Sequence, residues 1–173
     1  PNIFQAIQLA FENAYARGYR RIGFALGHHP EVLEDDLARF GAALAFIHDR
    51  LPAKQRLTPF FGNLNDAESI VKWVRKHKPD AVIAFSNALW YSLRDAGIEA
   101  PRDIGFVSLH LHVEDEHPVA IAGLDQARSE IARQTILLLD QMVRHNERGI
   151  PEAPRNILIQ STWVEGDTLP ERE

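Results

Sequence analysis

The densest run of groups able to do chemistry is His110-Leu111-His112-Val113-Glu114-Asp115-Glu116-His117. His-x-His sets two imidazoles on one side of an extended chain, the arrangement a zinc or iron site uses. His28 and His29 offer a third ligand, yet nothing fixes either at a defined spacing. An acidic, solvated loop accounts for the same residues. The chain has no cysteine, which removes disulfides, thiolate zinc ligands and thiol nucleophiles. Ser86 stands between Phe85 and Asn87 rather than in a Gly-x-Ser-x-Gly elbow, and Gly27 is too isolated to make a phosphate loop. No catalytic residue, metal or cofactor is therefore expected, and a metal-dependent enzyme built on the His110/His112 loop stands as the alternative.

These residues need elements to position them. Asn2 with Gln5 fits an N-cap pair, and Ile3, Ile7, Ala10, Phe11 and Ala14 then recur at helical spacing until Gly18. Ile22 to Leu26 is a short apolar run with no polar alternation, as a strand covered on both faces would be. A long helix follows with Leu33, Leu37, Phe40, Leu44 and Ile47 on one stripe, and Pro52 stops it. The cycle recurs: an apolar segment at 57–62, a helix capped by Asn65 with Glu68, a strand at Ala81 to Phe85, a helix capped by Asn87 and closed by Gly97, and a strand at Ile104 to Leu109. Strands alternating with helices at this spacing imply βαβ units. The expected fold is α/β, a doubly wound parallel sheet with helices on both faces.

Beyond the fourth strand the rhythm breaks. A short apolar stretch at Ile121 to Leu124 precedes a helix over Ala127 to His145, and Asn156 to Gln160 suggests a closing strand. From Glu165 onward the chain is polar and is expected to be a disordered tail. The division expected is 1–117, 118–164 and 165–173.

In open α/β sheets ligands bind beyond the carboxyl ends of the strands, where helix N-termini and loops present unpaired donors. That rule selects His28, His29 and Glu31 after the first strand, Leu64 and Asn65 after the second, Ser86 and Asn87 after the third, and His110 and His112 after the fourth. Trp90, one turn into its helix, offers an apolar wall. Capping alone explains Asn65 and Asn87 equally well, and a solvated loop explains His28 and His29.

Length and charge narrow the classes. A chain of 173 residues, 45% hydrophobic and 25% charged, can bury a core of its own. Its net charge of −5 argues against a nucleic-acid footprint, which needs clustered Lys and Arg. No apolar run reaches bilayer length and no leader pattern opens the chain, so a cytoplasmic location and no membrane partner are expected.

Four stretches together resemble the sensor domain of LacI/GalR transcription regulators: Ala16-Arg17-Gly18-Tyr19-Arg20-Arg21-Ile22-Gly23-Phe24; Pro79-Asp80-Ala81-Val82-Ile83-Ala84 through Asn87; Leu93-Arg94-Asp95-Ala96-Gly97 through Pro101-Arg102-Asp103-Ile104; and Ala122-Gly123-Leu124-Asp125-Gln126 before the last long helix. The third is the most specific. The resemblance implies a periplasmic-binding-protein-like lobe at 1–117 that senses a small-molecule effector, sugar-like in this family. DNA would be reached only through a headpiece outside this chain, and a stand-alone sugar-binding protein is a further alternative. The last long helix would belong to a first lobe and so lack its usual cover.

The same resemblance places the family's ligand-gripping Arg near Asp36 and its strand-end Asp near His110, a reversal of charge at both positions. It also implies a homodimer through the helix after Asn87, where Leu89, Trp90 and Tyr91 point in more directions than one core stripe needs.

Overall fold

The computed structural model describes residues 1–27, 34–63, 66–111, 119–150, 153 and 155–172. Its elements run α1 (Ile3–Ala16), β1 (Ile22–Gly27), α2 (Glu34–Arg50), β2 (Phe60–Gly62), α3 (Ala67–His77), β3 (Ala81–Ala84), α4 (Ala88–Asp95), β4 (Gly105–Ser108), β5 (Gly123–Asp125), α5 (Arg128–Arg144) and β6 (Thr162–Val164). The six strands form one sheet in the order β2-β1-β3-β4-β5-β6. All neighbours are parallel except β5 and β6. The α/β class holds, with an antiparallel edge added to the parallel sheet.

Side chains alternate across the pleat, so each central strand feeds two cores. Ile22, Phe24, Ile83 and Val107 point to the α1/α2 side, while Ala25, Val82, Ala84 and Phe106 point to the α3/α4 side. Phe11 stacks on Phe46 with ring centroids 5.0 Å apart, joining α1 to α2. Gly23 is obligatory for packing, because a Cβ there would lie 2.6 Å from the Trp73 ring.

Several expectations are corrected. The buried stripe of α2 is Ala42, Ala43, Phe46 and Ile47, whereas Leu37 is 60% exposed. Two alanines let α2 approach α1 closely, which turns the Leu37 side outward. Helix α3 is capped by Asp66, whose carboxylate accepts from the Ser69 amide at 3.1 Å, not by Asn65. The closing strand is Thr162–Val164, and residues 156–160 form no strand.

The polar tail is not free. Thr168 and Leu169 are buried, the Thr168 hydroxyl donates to the Phe106 carbonyl at 2.8 Å, and it accepts from the Ala122 amide at 3.0 Å. Arg172 donates its amide to the Arg17 carbonyl and pairs with Asp80 at 3.2 Å. Residues 165–172 thus strap the amino-terminal edge of the sheet, and burial of Leu169 with satisfied backbone groups outweighs their polar composition.

Helix α5 is as expected in extent and in its lack of cover: none of its residues is buried. Among the described residues no helix is long and apolar enough to cross a membrane.

Candidate functional site

The resemblance motifs sort into two ends of the sheet. Asp80, at the start of β3, accepts from the backbone amides of Arg20 and Arg21, each at 2.9 Å, and so fixes the entry of β1. The Arg21 guanidinium donates to the His77 and Lys78 carbonyls and closes the end of α3. Asp103 accepts from the Glu99 amide at 2.9 Å and closes the turn after Gly97, whose φ of +78° favours glycine. These residues are scaffold at the amino-terminal edge, remote from any strand-end ligand.

The carboxyl edge holds the candidate site. Asp36, in the first turn of α2, is 6% exposed and is met by Arg39 Nη1 at 2.9 Å. Arg39 also reaches Asp35 at 3.5 Å, and its guanidinium lies 4.6 Å from the Phe85 ring centre at the end of β3. Phe85 meets the His110 ring edge-on, with centroids 5.4 Å apart. His110 Nε2 in turn contacts the Arg128 guanidinium at the start of α5. A guanidinium has only donors, so Nε2 is the acceptor in that contact.

Polar backbone anchors hold these groups in place. The Ser108 hydroxyl accepts from the His110 amide at 3.3 Å, and Gln126 donates to the Leu109 carbonyl at 2.8 Å. Asp125 accepts from the Ala127 amide at 2.8 Å and sets the turn into α5. Strands β4 and β5 approach so closely that a Cβ on Gly123 would lie 2.3 Å from the Ser108 carbonyl oxygen, which only glycine permits.

The structure therefore brings Asp36, Ser86, Asn87 and His110 to one edge of the sheet; His28, His29, Leu64 and Asn65 lie outside the described residues, as does His112. Asn87 has helical backbone angles and makes no side-chain capping bond to α4, so capping does not explain it. Trp90 is 4% exposed and packs in the α3/α4 core, and Leu89 is fully buried there. Of the three residues expected at an interface, Tyr91 alone keeps accessible surface. Sequence reasoning missed Arg39, Phe85 and Arg128. Arg39 was legible as the i+3 partner of Asp36, but Arg128 meets His110 only through the tertiary fold.

Among the described residues no three His, Asp or Glu side chains converge as a metal site would need. A cavity of 740 Å³ lies away from the strand ends, between α5 and residues 155–157, and is lined by Leu138, Gln141, Met142, Arg148 and Ile157.

This arrangement, a doubly wound sheet with polar side chains gathered beyond its carboxyl edge, is that of a binding lobe. Residues 11–169 match the periplasmic binding protein-like domain family, and the chain belongs to it. Solved structures of the same fold include a LacI-family transcriptional regulatory protein from Corynebacterium glutamicum, 14% identical with a TM-score of 0.74 over 98% of this chain and 67% of that one. A periplasmic binding protein/LacI transcriptional regulator from Alkaliphilus metalliredigens, complexed with D-xylulofuranose, is 19% identical with a TM-score of 0.72 over 97% and 64%. A LacI family transcriptional regulator from Enterococcus faecium, with bound ribose, is 13% identical with a TM-score of 0.74 over 99% and 65%. The chain thus spans about two thirds of their length. Among curated proteins none matches.

Proposed function

We propose that this chain is the greater part of the effector-sensing domain of a LacI-like transcriptional regulator. The effector is a small hydroxylated molecule of sugar type, bound beyond the carboxyl edge of the sheet by Asp36, Asn87 and His110, with Arg39, Phe85 and Arg128 beside them. The observation that carries this reading is the unbroken run of contacts from Asp36 through Arg39, Phe85 and His110 to Arg128. It joins the first turn of α2 to the first turn of α5 across the ends of β3 and β4. The pentose-type ligands of two solved relatives favour the same ligand class.

In this reading effector binding shifts a conformational equilibrium and thereby the spacing of two DNA-binding headpieces in a dimer. DNA contact belongs to a headpiece outside this chain, consistent with the net charge of −5. The location is cytoplasmic, Tyr91 on α4 lies in the dimer contact, and catalysis plays no part.

A thermal-shift screen of the chain against pentoses, hexoses, polyols, amines and divalent metals tests the reading. A ligand of the native state at 100 times its Kd adds about 2.7 kcal/mol. A sugar or polyol should raise the midpoint, and Asn87→Ala should abolish the rise. A rise with zinc or iron alone, abolished by His110→Ala, would favour the metal-enzyme reading instead.

A further inference from the structure

Three segments meet at the amino-terminal edge of the sheet: the chain entering β1, the turn at 53–56 that follows α2, and the last turn of α3. The Arg21 guanidinium joins them, donating to the carbonyls of Lys54 at 3.5 Å, His77 at 2.5 Å and Lys78 at 3.1 Å. Around it Lys54, Arg75, Lys76 and Lys78 are exposed, and Lys72 extends the group along the outer side of α3, one turn before Arg75 and Lys76. No Asp or Glu falls in 50–65 or in 69–79. Asp80, which follows α3, is engaged by the Arg20 and Arg21 amides and by Arg172. None of the five exposed cations is in an ion pair with a described carboxylate.

Basic residues in the last turn of a helix complement its dipole, which accounts for Arg75 and Lys76. It does not account for Lys72, a turn earlier, or for Lys54 on another segment. Burial, and then the charges of Lys76 and Arg21, hold His77 below its ordinary value, so the ring registers the positive charge gathered here. Helix α5 and the strand ends assigned to the effector start from the opposite edge, and a first lobe facing this one across that cleft leaves the patch uncovered.

We infer that this patch is a docking surface for a short acidic segment of a partner protein, separate from the effector site. Charge complementarity names the chemistry, because clustered cations without carboxylate partners steer and hold Asp and Glu side chains. The rest of the chain favours a short segment over nucleic acid. The whole chain carries −5 although the patch is positive, so a long polyanion running off the patch meets repulsion. A short acidic segment stays within the Debye length of the cations, about 8 Å at physiological salt.

Fluorescence anisotropy of a labelled oligoglutamate peptide, titrated with the whole 173-residue chain at physiological ionic strength, tests the inference. Binding should saturate and weaken as salt is raised. Lys72→Gln with Arg75→Gln and Lys76→Gln should raise the dissociation constant about ten-fold or more, as loss of three exposed pairings does. Lys54→Gln with Lys78→Gln should weaken binding independently. Arg133→Gln with Arg144→Gln and Arg148→Gln removes the same charge as the first variant but lies elsewhere, and should bind as the parent does. All the replaced side chains are exposed, so each variant should keep the parent's circular dichroism. Absence of saturable binding, an equal loss in the Arg133 variant, or a DNA duplex held by the same patch as tightly as the peptide would overturn the inference.

Discussion

Arg39 places one guanidinium nitrogen 2.9 Å from Asp36 while its Cζ lies 4.6 Å from the centre of the Phe85 ring. The charge of Asp36 is therefore compensated within its own helix turn. Removing Asp36 alone leaves a largely buried guanidinium whose remaining ion pair among the described residues is the longer one to Asp35 at 3.5 Å. Asp36→Ala should lower unfolding stability by about 1.5–3 kcal/mol in urea melts, the range for hydrogen bonds to charged groups. The double replacement Asp36→Leu with Arg39→Met should recover most of that loss, because an apolar pair replaces a desolvated ionic one. It should not recover a sugar-induced rise in the thermal midpoint. Recovery of both would mean that neither residue serves the ligand.

The strap formed by the tail predicts a cost far from the site. Thr168→Val keeps the shape but strands the Ala122 amide and loses the bond to the Phe106 carbonyl. A loss of about 1–3 kcal/mol in chemical denaturation is expected, with Thr168→Ser close to the parent. Equal stability of all three proteins would show that the strap does not anchor the sheet.

Acid should weaken the α3 end of the fold through His77. Burial, and repulsion from Lys76 and Arg21, hold its imidazole below the ordinary value of 6.5. The unfolded chain then binds a proton that the folded chain resists, so this contribution is complete above pH 6.5 and is lost as pH falls towards the folded value. Thermal midpoints measured from pH 7.5 to 5.5 should decline, and His77→Gln should flatten the decline. A slope of the same size in the variant would assign it to other groups.

Tyr91 packs edge-on against buried Trp90 at 4.8 Å, with Arg94 5.1 Å from both rings, and keeps exposed surface. A contact between subunits on α4 predicts that Tyr91→Glu shifts mass towards monomer while the variant stays folded by circular dichroism. An unchanged mass would dispose of that contact.

The order of helices and strands was legible wherever apolar spacing was unambiguous. Lys72, Arg75 and Lys76 separate Ile70, Val71, Trp73 and Val74 so cleanly that the buried side of α3 could be named in advance. Helix α2 offered two apolar sides, and pattern alone could not show that Ala42 and Ala43 would win over Leu37, since closeness to α1 decided it. The tail misled because eight polar-rich residues carry one Leu, and its burial depends on a surface that exists only once the sheet has formed. The site was half legible. Strand ends located Asn87 and His110, while the neighbours that fix their chemistry, Phe85 and Arg128, come from separate elements.

Amide chemical-shift mapping of the isotope-labelled chain titrated with ribose and other pentoses tests the sensing site most directly. The account predicts saturable shifts centred on Asp36, Arg39, Phe85 to Asn87, His110 and Arg128, lost in Asn87→Ala. Absence of saturable shifts with every sugar of the screen, or shifts confined to α5 and residues 155–157, would contradict it.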